Sequence, residues 1–133
     1  MRELNIEKET ERVVQFIKNK VTGSGFTKAI IGLSGGIDSA LSAALAVKAL
    51  GKENVIGVMM PYKSSNPDSL EHALILAKGL DIPFFIIDIT PMVDAYLTNY
   101  ASDANTLRMG NYMARTRMCV LFDLSAKYRA LVV

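Results

Sequence analysis

Four short runs of this chain, KAIIGL (28–33), NVIGVMM (54–60), PFFIIDI (83–89) and ALVV (130–133), are apolar at successive positions rather than at alternate ones. A strand apolar on both sides must be covered on both sides. The stretches between them carry apolar residues at helical spacing. Residues 5–22 place Ile6, Val13, Phe16, Ile17 and Val21 on one side of a first helix, which Gly23 and Gly25 end. A second helix follows the first strand and stops at Gly51. Leu70, Ala73, Leu74 and Ala77 form the stripe of a third, and Val93, Tyr96, Leu97 and Tyr100 that of a fourth. A long fifth helix spans about 105–129. Asn66-Pro67 and Thr90-Pro91 each read as an N-cap followed by proline at the first helical position. The alternation predicts an α/β fold, an open parallel sheet with helices on both faces. Such folds bind ligands at the carboxyl ends of their strands, where the strand order switches.

Composition narrows the function classes. The chain has 133 residues, half of them apolar, enough for one domain with one core. Its net charge of +2 comes from interspersed acids and bases, which argues against a dedicated nucleic-acid surface. Cys119 is the single cysteine, so no disulfide forms within the chain and no cysteine-based zinc site is available. Residues 1–20 do not read as a signal peptide, and no run approaches the roughly 18 apolar residues of a membrane span. A cytoplasmic protein in a reducing compartment is expected.

The joint GLSGGIDS (32–39) stands at the carboxyl end of the first strand. Ser34, Gly35 and Gly36 leave backbone N–H groups free there, and the helix starting near Asp38 adds the positive end of its dipole. The hydroxyls of Ser34 and Ser39 can donate to phosphate oxygens. Asp38 would repel a phosphate unless a divalent cation lay between them, and Mg²⁺ takes carboxylates together with phosphates in this way. The residues therefore point to a metal–phosphate site. They match neither the Walker A loop nor GxGxxG. A tight turn with Asp38 as a capping acid, worth about 1 kcal/mol, accounts for the same residues. Farther on, Arg108, Asn111, Tyr112 and Arg115 fall on one helix face. That face suits the phosphates and bases of a dinucleotide, although an ordinary solvated face has the same composition. Arg117 is about half a turn from Arg115 and is expected to point elsewhere, to a subunit contact or a salt bridge.

SGGIDS after a buried strand resembles the SGGxDS pyrophosphate loop of the N-type ATP pyrophosphatases, whose fold is adenine nucleotide alpha hydrolase-like and Rossmann-like. The segment Gly110-Asn111-Tyr112-Met113-Ala114-Arg115-Thr116-Arg117-Met118 resembles the GNxxARxRM segment of NAD synthetases, and the likeness runs from about residue 10 onward. Met1 directly precedes this region with no nitrilase-like amidase segment before it, so the likeness is to the ammonia-dependent form. The resemblance implies that ATP and Mg²⁺ adenylate the carboxylate of deamido-NAD⁺ and that ammonia then displaces AMP. It implies that Gly32, Leu33, Ser34, Gly35, Gly36, Ile37, Asp38 and Ser39 bind ATP. Asp38 would hold Mg²⁺, Arg115 would contact deamido-NAD⁺, and the protein would be a homodimer. Catalysis would rest on positioning and charge neutralisation without a protein nucleophile. Another ligase of the superfamily and a non-catalytic ATP-binding module stay open as alternatives.

In the family a Gly-Thr segment, a glutamate that is the second magnesium ligand and phosphate-contacting lysines follow a strand like Ala130-Leu131-Val132-Val133. The expectation is an N-terminal part of one domain (1–133), truncated after the fourth strand begins, inactive by itself and with a sheet edge uncovered. Among the remaining residues, His72 is expected at the surface and Cys119 in the core. The backbone of Met60-Pro61-Tyr62 is expected to line an adenine pocket, and Lys63, Ser64 and Ser65 to be solvated, with contact to phosphate as the alternative.

Overall fold

The computed structural model describes residues 5–133, and residues 1–4 of the expected domain lie outside that range. Its order is α1 (Ile6–Gly23), β1 (Lys28–Gly32), α2 (Ile37–Leu50), β2 (Val55–Met59), α3 (Pro67–Leu80), β3 (Phe84–Ile86), α4 (Thr90–Tyr100), α5 (Thr106–Tyr128) and β4 (Ala130–Val132). The four strands form one parallel sheet in the order β3-β2-β1-β4. The chain therefore steps outward from β1 to β3 and then returns through α5 to place β4 on the other side of β1. That return makes β1 the point where strand order reverses.

The doubly apolar strands bury both faces, as their composition requires. Ile30 of β1 and Ile56 and Val58 of β2 point to one side, against Ile89, Val93 of α4 and Leu121 and Leu124 of α5. Ile31, Val55 and Met59 point to the other, against Ala43 and Ala46 of α2 and Ala73 and Ala77 of α3. The small alanines let α2 and α3 approach the sheet closely. Gly57 serves the same packing within β2, since a Cβ there would lie 2.7 Å from Leu33 Cδ1.

Local signals set most element ends. Asn5, Asn66 and Asn105 accept hydrogen bonds from the first-turn N–H groups of Lys8, Asp68 and Arg108, capping α1, α3 and α5. Gly51 ends α2 with φ of 88°. Two expectations are corrected. Thr90 does not cap α4. It is the first helical residue, and the carboxylate of Asp88 accepts its N–H at 2.8 Å. The third strand is shorter than the apolar run, although Ile87 N–H and Ile89 N–H still donate to the Met59 and Pro61 carbonyls alongside the exit of β2.

The apolar stripe of α1 does not become core. Ile6 and Phe16 are 72% and 65% exposed, and only Val21, near the helix end, is buried. The cause is topological, because α1 packs on α2 rather than on the sheet. No helix of the described residues is long and apolar enough to cross a membrane.

Candidate functional site

The sequence GLSGGIDS becomes the carboxyl end of β1, a short turn and the first turn of α2. α2 opens without a side-chain cap, in contrast to the asparagine-capped α1, α3 and α5. Its N-terminal amides and dipole therefore face outward toward the strand ends. The turn is held by its own serines. Ser39 Oγ donates to the Gly36 carbonyl (3.2 Å) and lies 3.2 Å from Ser34 Oγ, and Gly36 N–H donates to Ser34 Oγ at 3.3 Å. The two glycines differ. Gly35 adopts φ of 84°, and a Cβ on it would sit 2.3 Å from the Ser69 carbonyl oxygen of α3. At Gly36 a Cβ would meet only Ser34 Oγ, at 3.4 Å.

Beside this turn lies a cleft of about 450 Å³ at the carboxyl ends of β1 and β2. Gly32, Ser34, Met60, Ser65, Asn66 and Arg117 stand in its wall. Of the eight residues expected to cradle phosphate, Gly32, Leu33 and Ser34 line the cleft, whereas Gly35 to Ser39 lie beyond its wall along the turn and first helical turn. The Ile37 side chain is 84% exposed, so only its backbone is placed to act. Asp38 is exposed on the first turn of α2, and no cation among the described residues pairs with it. Nor does any group of three or more His, Cys, Asp or Glu gather among those residues. An unpaired carboxylate in the first turn of an uncapped helix suits a cation that takes one carboxylate and draws its other ligands from phosphate and water, as Mg²⁺ does. The residues present fit that ion.

Arg117 points away from the Arg115 face, as its spacing predicts, but it meets a main-chain carbonyl rather than an acid. Its Nε donates to the Met60 carbonyl at 2.9 Å, and its side chain forms part of the cleft wall. Partial burial lowers the guanidinium pKa from its ordinary value through desolvation, yet an arginine stays charged under such a shift. The cleft thus has a cation in its wall. Ser65, read as a loop residue, Asn66, read as a cap, and Ser69 of α3 also stand in the wall. The position of Ser65 and Asn66 shortly after a strand's carboxyl end is the signal that could have found them. Met60 and Pro61 line the same space, and Tyr62, expected with them, does not. Lys63 pairs with Asp94 rather than being merely solvated.

A second, shallower cleft of about 290 Å³ opens on the other side of α5. Arg108, Asn111, Tyr112 and Arg115 line it together, as helical spacing predicts, and Tyr96 of α4 joins them. The Tyr96 and Tyr112 rings stack with centroids 4.5 Å apart. Arg108 also donates to Asp103 at 3.0 Å, and that bond holds the Asp103 carboxyl below its ordinary pKa. Arg115 is exposed and has no hydrogen bond or ion pair among the described residues, so its guanidinium is available to an anion. His72 is exposed as expected. Cys119 is exposed too, against the expectation of a core position. The buried face of α5 runs through Leu121 and Leu124, and Cys119 lies off it.

Comparison with known proteins adds three findings. The family model described as NAD synthase matches residues 9–133. The NH(3)-dependent NAD(+) synthetase of Fusobacterium nucleatum is 54% identical over 131 residues, covering 98% of this chain and 50% of that protein. Two solved structures superimpose closely. One is the NH3-dependent NAD synthetase of Campylobacter jejuni in complex with the nitrate ion (TM-score 0.90, 41% identity, 98% of this chain and 56% of that one). The other is the glutamine-dependent NAD+ synthetase of Acinetobacter baumannii in complex with adenosine diphosphate (TM-score 0.86, 36% identity, 92% of this chain and 24% of that one). The chain spans about half the length of the ammonia-dependent relatives it matches.

Proposed function

The chain belongs to the NAD synthase family, and from that premise we propose that its protein amidates deamido-NAD⁺ with ammonia and ATP to give NAD⁺, AMP and pyrophosphate. The observation that carries this reading is the uncapped start of α2 following the β1 end that, with Arg117, lines one cleft. A helix N-terminus and an arginine suit the polyphosphate of a nucleotide. The A. baumannii relative is in complex with ADP, which supports an adenine nucleotide as a ligand.

In this reading the backbone and hydroxyls of Gly32 to Ser39 hold the ATP phosphates, and Asp38 holds Mg²⁺. When bound, that ion neutralises phosphate charge and eases departure of pyrophosphate. Arg115, with the Tyr96–Tyr112 stack beside it, holds deamido-NAD⁺ in the second cleft. The nicotinate carboxylate attacks the α-phosphorus, and the bond to the β-phosphate oxygen breaks with its electrons leaving on pyrophosphate. Ammonia then adds to the acyl carbon, AMP departs and a proton is lost. The chain's share of this is positioning and charge stabilisation rather than nucleophilic attack. The 133 residues are taken as part of one such domain, within a cytoplasmic homodimer whose association sedimentation would measure.

Pyrophosphate release from ATP tests the proposal, run in parallel on the 133-residue chain and on a polypeptide of the relatives' full length. The longer polypeptide should release pyrophosphate only with both deamido-NAD⁺ and ammonia present. Asp38→Ala should reduce that release about a hundredfold or more, the scale of removing a charge-stabilising group from a transition state. Release with a different acceptor would make the protein another ligase. Nucleotide binding without release would make it a binding module.

A further inference from the structure

The loop leaving β2 faces the nucleotide cleft on one side and is fastened to the β3–α4 junction on the other. Pro61, Ser65 and Asn66 stand in the cleft wall. Tyr62 and Lys63 reach back to a single carboxylate on α4. Tyr62 is buried, and its hydroxyl donates to Asp94 Oδ1 at 2.5 Å. Lys63 Nζ donates to Asp94 Oδ2 at 2.6 Å. Each oxygen of Asp94 therefore has its own donor.

Main-chain bonds run beside this pair. Lys63 N–H donates to Thr90 Oγ1 at 2.9 Å, and Ile89 N–H donates to the Pro61 carbonyl at 2.9 Å. From Tyr62 the connection turns back toward the cleft. Tyr62 N–H donates to Ser65 Oγ (3.1 Å), and Ser65 N–H donates to the Tyr62 carbonyl (2.8 Å). A continuous path therefore leads from Asp94, which does not line the cleft, through Tyr62 to Ser65, which does.

Holding α4 on the sheet does not require these bonds, because Ile89 and Val93 are fully buried there. What Asp94 grips is the loop. We infer that Asp94 is a positioning residue for the nucleotide cleft, acting through Tyr62 and Ser65 to keep the 61–66 wall where a bound nucleotide needs it. This rests on the reading of that cleft as the ATP site. The carboxylate makes an effective clasp because charge-assisted bonds are about twice as strong as neutral ones.

The test uses a polypeptide of the relatives' full length, unaltered and with Asp94→Asn, Asp94→Glu, Tyr62→Phe and the Asp94→Asn/Tyr62→Phe double variant. ATP affinity is measured by calorimetry, thermal midpoint by circular dichroism, and amide hydrogen exchange at residues 62–65 by NMR. Asp94→Asn and Tyr62→Phe should each weaken ATP binding about tenfold, the equivalent of one charge-assisted hydrogen bond. The double variant should be within about twofold of the weaker single, because the two share one bond. Asp94→Glu, which keeps the charge, should recover affinity to within about threefold of the unaltered chain. Exchange at residues 62–65 should speed about tenfold in Asp94→Asn while that of β1 and β2 stays unchanged.

Unchanged ATP affinity with a lowered thermal midpoint would overturn the inference and leave Asp94 a purely structural residue. Full additivity of the two singles would overturn it as well. If the unaltered chain bound no ATP, the cleft assignment would be at fault. The positioning role would then be judged by exchange alone, with unaltered rates in Asp94→Asn rejecting it and faster loop exchange upholding the clasp.

Discussion

At the scale of single residues, Gly35 and Gly36 are neighbours with different reasons for being glycine. Gly35 combines a left-handed backbone with the close approach of Ser69, so Gly35→Ala should cost about 1–3 kcal/mol in urea unfolding. Gly36 has ordinary φ, and a Cβ there would make only a van der Waals contact with Ser34 Oγ at 3.4 Å. Gly36→Ala should therefore change stability by less than about 0.5 kcal/mol. The added methyl narrows the approach to the α2 amides, so ATP affinity measured by calorimetry should still fall by about tenfold. The sequence marks both positions as room for a phosphate. It carries no sign that α3 needs one of them, because that contact joins residues far apart in the chain. The amides that the sequence leaves free are partly taken up within the turn, where Ser34 N–H donates to Ser39 Oγ and Gly36 N–H to Ser34 Oγ, bonds that a run of serines and glycines does not announce.

At the scale of elements, α5 is a wall shared by two clefts. Positions 115 and 117 differ by about 200° around a helix, so one arginine faces the aromatic cleft and the other the Met60 carbonyl. Arg117→Ala should weaken ATP binding about tenfold while leaving deamido-NAD⁺ binding within about twofold, and Arg115→Ala should do the reverse. Fluorescence titration of each ligand in the full-length polypeptide checks the crossover. Equal losses of both ligands in both variants would mean that the helix had merely been destabilised. The Arg108–Arg115 face was readable because helical spacing is local. The destination of Arg117 was not, since its partner is the main-chain carbonyl of Met60 just past β2 and a carbonyl has no signature in sequence. Cys119 was misplaced because a largely apolar helix segment does not reveal which side of it meets the sheet. The stripe of α1 failed similarly: periodicity identifies an apolar face but not what packs on it.

At the scale of the whole molecule, charge pairs join elements that the core does not. Lys52 pairs with Asp81 at 2.7 Å, and Lys63 with Asp94. Hydrogen bonds from Lys52 lower the Asp81 pKa, those from Lys63 and Tyr62 lower Asp94, and those from Thr90 lower Asp88. A carboxyl depressed in the folded state contributes stability above its unfolded value, and loses it as pH falls through the folded one. The urea midpoint should therefore decline as pH drops below about 4. Lys52, Lys63 and Tyr62 are raised by the same bonds. Their contribution is complete below about pH 10 and fades as pH rises beyond it. Added salt should shrink the acid-side change, since these pairs are largely exposed. A midpoint flat from neutral pH into strong acid would refute this account.

The strand–helix alternation was legible because a doubly apolar strand admits few neighbours. The position of β4 beside β1 was not, because strand order depends on crossovers rather than on any single element. That placement has a consequence for synthesis on the ribosome. β1 is made early and finds β2 soon afterwards, but its other flank has to wait until almost the entire described polypeptide has emerged. During that interval a ready-made hydrogen-bonding edge faces the crowded cell, and nascent chains meeting there would be prone to stick to one another.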